Sequence, residues 1–166
     1  LARAVDEVEA ACAADPDCAP LGRDLGARIG ALHAELEARP VDVELPDPFT
    51  GEPVTVRWDG TRLAQVVFLS LYSEITIPLL PSVIAAGERG DLSLASVIYL
   101  RNQVSSLDGL AAGLYRAVEC RERAPFSDPA EVDRVAAEAP PWLADGVTAE
   151  TDLADCDSWE APPAEA

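Results

Sequence analysis

Cys12 and Cys18 constrain this chain more than any other two residues. Six residues along an unbroken helix span ~9 Å, at ~1.5 Å per residue. A disulfide needs its Cα atoms within ~7 Å. Leu1, Val5 and Val8 fall at helical spacing, so a first helix over 1–14 has to stop between the two cysteines if they are bonded. Asp15-Pro16-Asp17 supplies the stop, because Pro16 lacks a donor and pushes Asp15 out of the helical region. Cys120 and Cys156 remain, and would close a loop of 37 residues counted inclusively. Chain-entropy arithmetic gives roughly 2.4 kcal/mol for the small loop and 3.8 kcal/mol for the large one.

Zinc is the other common use of four cysteines, and it usually takes close pairs such as C-x2-4-C. The intervals here are five, 101 and 35 residues, and His33, the single histidine, has no ligand-spaced partner. No metal site or cofactor is expected. Two disulfides, Cys12–Cys18 and Cys120–Cys156, imply maturation outside the cytoplasm.

The remaining pattern is mainly α, with one small β-hairpin over about residues 41–58. Leu25, Ile29, Leu32 and Leu36 lie on one face of a helix over 21–39, which Pro40 ends. Gly22, Gly26 and Gly30 line another stripe of it, and imply close packing or a late helix start. Val41, Val43 and Leu45 alternate, as do Val54, Val56 and Trp58, about a longish turn. Asp59 or Thr61 can cap a helix over about 62–75, apolar nearly all round. Pro78 and Pro81 suit the first turn of a short helix ending near Gly87 or Gly90. Further helices are expected over 94–104, 107–122 and 129–139, the last capped by Asp128. We expect one domain over 1–166: a helical body, 1–139, and an irregular acidic, proline-bearing tail, 140–166.

Charge excludes several functions. Thirty acidic residues stand against 12 basic ones, all arginine, for a net charge of −18. Nucleic-acid binding needs a basic surface, and anionic membranes repel such a chain. No run reaches the roughly 20 apolar residues of a membrane span. There is no G-x-S-x-G, no phosphate-binding glycine loop and no Ser or Cys visibly arranged with His33, which reads as a rim residue rather than a general base. The acidic clusters read as solvated surface.

Several segments in order carry a resemblance. They are Ala-Cys12-Ala-Ala-Asp-Pro-Asp-Cys18, Arg39-Pro40-Val41-Asp42-Val43, Val54-Thr55-Val56, Asp59-Gly60, Leu71-Tyr72, Ile77-Pro78-Leu79-Leu80-Pro81 and Ala85-Ala86-Gly87-Glu88-Arg89-Gly90-Asp91. Most telling are Gly113-Leu114-Tyr115-Arg116-Ala117-Val118-Glu119-Cys120-Arg121-Glu122, then Pro125-Phe126, and Cys156-Asp157-Ser158-Trp159. This order resembles the lid (cap) of α/β-hydrolases of the tripeptidyl aminopeptidase and proline iminopeptidase-like group, mostly extracytoplasmic actinobacterial serine hydrolases.

The resemblance implies a helical lid that gates substrate to an α/β-hydrolase core, with the Ser, Asp and His of the triad outside these residues. No catalytic residue carries over, and the chain alone is expected to be inactive. The lack of methionine fits a piece taken from a longer protein. In such aminopeptidases lid carboxylates hold the substrate's α-amino group. Glu119 and Glu122, with Tyr115 one helical turn before Glu119, are the candidates; for Glu122, pairing with Arg121, Arg123 or solvent is the other reading. The expected partners are the hydrolase core and peptide N-termini. A homodimer through the apolar 63–87 segment is expected if that surface is left uncovered. The alternative is a free-standing extracytoplasmic interaction domain that uses the same apolar segment.

Overall fold

The structure is a computed structural model that describes residues 1–47, 49–109, 111–146, 156 and 159, with backbone only at 103–109, 112, 145 and 146. It is mainly helical with one antiparallel hairpin, as the periodicity predicts. The cysteines pair as Cys12–Cys18 and Cys120–Cys156, with Cα atoms 5.0 and 5.1 Å apart. The chain divides into two compact units. The first holds Leu1–Gln103 and Pro140–Val147; the second holds Val104–Ala139 and Thr148–Ala166.

In the first unit, α1 (Ala2–Ala13) runs into the turn that brings Cys18 back to Cys12. The expected single helix over 21–39 is split into α2 (Ala19–Gly22) and α3 (Leu25–Ala38). The break is Asp24, at φ 52°, in the left-handed region. A long-range contact holds it: the Glu9 carboxylate accepts the backbone N–H of Asp24 (3.1 Å) and of Leu25 (2.9 Å). Glu9 thus satisfies donors that the first turn of α3 leaves open.

The split also explains part of the glycine stripe. A Cβ on Gly22 would stand 2.3 Å from Cys12 Sγ and 2.6 Å from Cys12 Cβ. Those atoms are fixed by the disulfide and cannot give way. Gly22→Ala should therefore cost about 1–3 kcal/mol by overpacking. Gly26, where a Cβ would meet nothing within 4 Å, is the control. Gly26→Ala should be neutral or stabilising by up to about 0.5 kcal/mol. Urea denaturation of the two variants reads the contrast.

Strands β1 (Val41–Pro46) and β2 (Pro53–Trp58) pair with Val43 opposite Val56 and Val41 opposite Trp58. The Asp47 carboxylate closes the turn by accepting the N–H groups of Phe49 (2.8 Å) and Thr50 (2.9 Å). These bonds hold its carboxyl below the usual aspartate range. Trp58 is fully buried, and its Nε1 donates to the Ser96 hydroxyl at 2.8 Å.

α4 (Gly60–Ser70) starts at Asp59, whose carboxylate accepts Arg62 N–H at 2.8 Å. It ends at Ser70, five residues short of the expected 75, and a turn leads to α5 (Leu80–Gly87). α6 (Ser93–Gly109) begins where the Asp91 carboxylate accepts Ser93 N–H. The core joins Leu25, Ile29 and Leu32 of α3 to Leu63, Val66 and Val67 of α4, Val83 and Ile84 of α5, and Trp58.

Two expectations change here. The 63–87 segment is mostly core, so the apolar surface expected of it shrinks to the turn bearing Tyr72 and Ile75. Residues 141–146, expected to be irregular, form α9. Pro141 suits a first helical position, and Trp142 is buried in the core, which is what orders this short helix.

Arg28 fastens α3 to the end of α5. Its Nε and Nη2 donate to the two Glu88 oxygens at 2.7 and 2.6 Å, and its Nη1 donates to the Leu21 carbonyl. The fork lowers the Glu88 carboxyl below its ordinary range and raises Arg28. A carboxyl with a depressed folded pKa stabilises above its unfolded pKa, and that contribution is lost as pH falls through the folded value. Stability should thus drop on acidification below about pH 4.5. Glu88→Gln should be less stable at pH 7 by at most about 1 kcal/mol, since the pair is partly exposed. Its loss between pH 5 and 3 should be correspondingly smaller, as denaturation midpoints across that range would show.

In the second unit, α7 (Ala112–Val118) continues into a π turn (Glu119–Arg123). α8 (Pro129–Glu138) follows, with Asp128 accepting Ala130 N–H at 3.0 Å. The expected helix over 107–122 is thus divided: its first residues belong to α6 and the rest to α7 and the π turn.

Candidate functional site

Tyr115, Glu119 and Glu122 lie in the second unit on one short stretch, Tyr115 in α7 and the two glutamates in the π turn. Cys120, between the glutamates, is buried and bonded to Cys156. The disulfide therefore fixes the turn that carries both carboxylates. A π turn is wider than an α turn, and such insertions frequently sit at functional positions.

The glutamates differ. Arg123 Nε closes on Glu119 Oε2 as an ion pair across one turn, and the Glu119 side chain is only 20% exposed. Its Oε2 is shielded from solvent. Glu122 is exposed. Tyr115 is half-exposed, with the Arg116 guanidinium 5.9 Å from its ring centroid. Arginine thus contacts two of the three expected residues. Sequence reading missed Arg123 as the partner of Glu119, although its i, i+4 placement is the signal that finds it. A carboxylate that holds one cation in a partly desolvated place can hold another, and charge-assisted pairs of this kind are strong.

His33 belongs elsewhere, and not on a rim as its sequence position suggested. It is buried in α3, in the first unit, where a Cβ on Gly60 would come 2.8 Å from its Nε2. Glu37, one turn on, accepts Gly60 N–H at 3.2 Å. Gly60 lets the start of α4 approach α3 this closely. Among the described residues, no group of three or more His, Cys, Asp or Glu side chains could hold a metal ion. Within the same residues, no helix is long and apolar enough to cross a membrane.

The first unit also has a shallow groove of about 350 Å³, lined mainly by Val5, Gly26, Gly30, Pro141 and Trp142, with Asp6 on its lining. It contains no catalytic combination of side chains. No family model, curated protein or solved structure matches this chain.

Proposed function

We propose that this chain is the substrate-gating lid of a serine hydrolase, an aminopeptidase acting outside the cytoplasm. One observation carries the reading beyond the resemblance. The Tyr115–Glu122 stretch presents a partly desolvated carboxylate, Glu119, beside exposed apolar side chains, on a turn held by a disulfide. That chemistry suits a peptide's free α-amino group, with Arg123 as the cation that the substrate replaces. The two disulfides are compatible with an oxidising, extracytoplasmic compartment. The lid's other role is to cover a cleft and exclude water. The chain alone supplies no nucleophile on this reading.

A serine-directed fluorophosphonate probe and an aminoacyl-4-nitroanilide substrate test the assignment on the isolated chain. Neither labelling nor hydrolysis above the buffer rate is expected. Stoichiometric labelling would place an activated serine inside the chain and overturn the lid assignment.

A further inference from the structure

The two disulfides are built differently. Cys12 and Cys18 are 6 residues apart in the chain, and Cys120 and Cys156 are 36 apart. Accessibility does not separate the bonds: Cys12 and Cys120 are each 4% exposed, and Cys18 and Cys156 are each half-buried. What differs is how closely each pair of sulfurs would stay together once the bond is open.

The turn holds Cys12 and Cys18. Asp15 N–H donates to the Cys12 carbonyl at 3.1 Å, and the Asp15 carbonyl accepts the N–H groups of Cys18 (3.1 Å) and Ala19 (2.8 Å). Val5 anchors α1 in the core, Glu9 ties α1 to the start of α3, and Gly22 packs against Cys12. None of these contacts needs the S–S bond. Cys120 and Cys156 have less. Among the described residues of the second unit, Cys120 is the one buried hydrophobic side chain. Backbone hydrogen bonds among those residues span at most five positions, so they bring no distant segments together. The Trp159 ring does reach α7, 4.0 Å from where a Cβ on Gly113 would stand, but Trp159 remains 41% exposed. Loop closure alone makes the distant pair about 15-fold harder to bring together than the near pair. The preformed turn widens that gap. The effective concentration of two thiols sets how readily their disulfide re-forms, and so how strong a reductant must be to keep it open.

We propose that Cys120–Cys156 is a redox switch, which a dithiol reductant opens while Cys12–Cys18 stays closed. A thiolate of the reductant attacks Sγ of Cys156, the cysteine of the pair with the greater exposure. A mixed disulfide forms and Cys120 leaves as a thiolate. The second thiol of the reductant then attacks the mixed disulfide and releases Cys156, and the reductant becomes a cyclic disulfide. Two electrons pass to the protein, and the two protons of the dithiol end on the two cysteines. The chain has four cysteines, so with Cys12–Cys18 closed, reoxidation within the chain can rebuild only the same bond. Opening is therefore reversible, and it frees the π turn that carries Glu119 and Glu122. That the switch controls a substrate site rests on the lid reading; the order of reduction does not.

The test equilibrates the full oxidised chain with buffers of graded reduced-to-oxidised dithiothreitol, traps free thiols with iodoacetamide and locates them by peptide mass spectrometry. Cys120–Cys156 should be half open at a ratio at least tenfold lower than Cys12–Cys18. Chain alkylated between those two ratios should be cut by trypsin at Arg121 and Arg123 at least tenfold faster than the oxidised chain. A parallel sample reoxidised before trypsin is added should be cut at the original rate. Simultaneous opening of the two bonds, or earlier opening of Cys12–Cys18, would overturn the proposal. So would selective opening that leaves cleavage unchanged, or reoxidation that fails to restore protection. If this order holds while the flanks of the reading frame encode no nucleophile elbow, the switch stands and the lid assignment alone fails.

Discussion

Trp58→Ala is expected to destabilise the first unit by about 3–5 kcal/mol. Among the described residues Trp58 is the largest fully buried side chain. It ends β2, so it holds the hairpin against the helices, and its Nε1 donates to Ser96, itself fully buried on α6. Truncation removes the ring's apolar contacts and leaves a cavity that the hairpin and helices can only partly close. It also strands the Ser96 hydroxyl, which adds a desolvation cost. Trp58→Phe separates the two effects: it keeps most of the apolar volume, loses the donor, and should cost about 1–3 kcal/mol. Ser96→Ala should fall in the same range, because it leaves the indole N–H buried without its acceptor. Urea midpoints followed by far-UV circular dichroism measure all three. A loss below 1 kcal/mol for Trp58→Ala would mean that the hairpin is not built into the core.

Removing the Cys120–Cys156 bond should affect the second unit most. Cys120→Ser with Cys156→Ser releases a loop whose closure is worth about 3.8 kcal/mol in the chain-entropy model. A well-packed domain absorbs part of such a loss through its core. Among the described residues of the second unit Cys120 is the one buried hydrophobic, and the substitution removes that as well. Arg116, Arg121 and Arg123 provide cleavage sites for trypsin within the affected stretch. When cleavage follows transient opening, its rate tracks the opening equilibrium. Cleavage there should speed up by as much as several hundred-fold, the factor equivalent to that free energy. Cleavage in the first unit should stay close to its original rate. Equal protection of both forms would show that something other than the disulfide orders the α7 region.

Local rules in the sequence located most of the elements. The Asp15-Pro16-Asp17 stop allows Cys12 and Cys18 to meet, and alternation about the turn places the two strands of the hairpin. Asp59 and Asp128 act as caps, as residues of their type do. What could not be read depends on contacts distant in the chain. Asp24 breaks the second helix because Glu9, 15 residues earlier, accepts its N–H. α9 exists because Trp142 finds a place in the core, which no local pattern announces. The 63–87 segment looked like a binding face because hydropathy cannot tell core from exposed surface, and here most of it is core.

The candidate site was legible in the same uneven way. Tyr115, Glu119 and Glu122 do lie on one short stretch next to a disulfide. The ion pair of Glu119 with Arg123 fixes which carboxylate is partly desolvated, and spacing alone left that open.

The lid assignment is tested most directly by the reading frame that encodes this chain, cloned with its flanks and expressed as one product. The account predicts a G-x-S-x-G elbow encoded before Leu1 and an Asp and His of a triad after Ala166. It also predicts that the longer product is labelled by the fluorophosphonate and releases residues or short peptides from free N-termini. In that product Glu119→Gln should raise KM for free-amine peptides at least tenfold and leave N-acetylated ester substrates unchanged. Start and stop codons that bound the chain closely, or flanks without the elbow, would contradict the account.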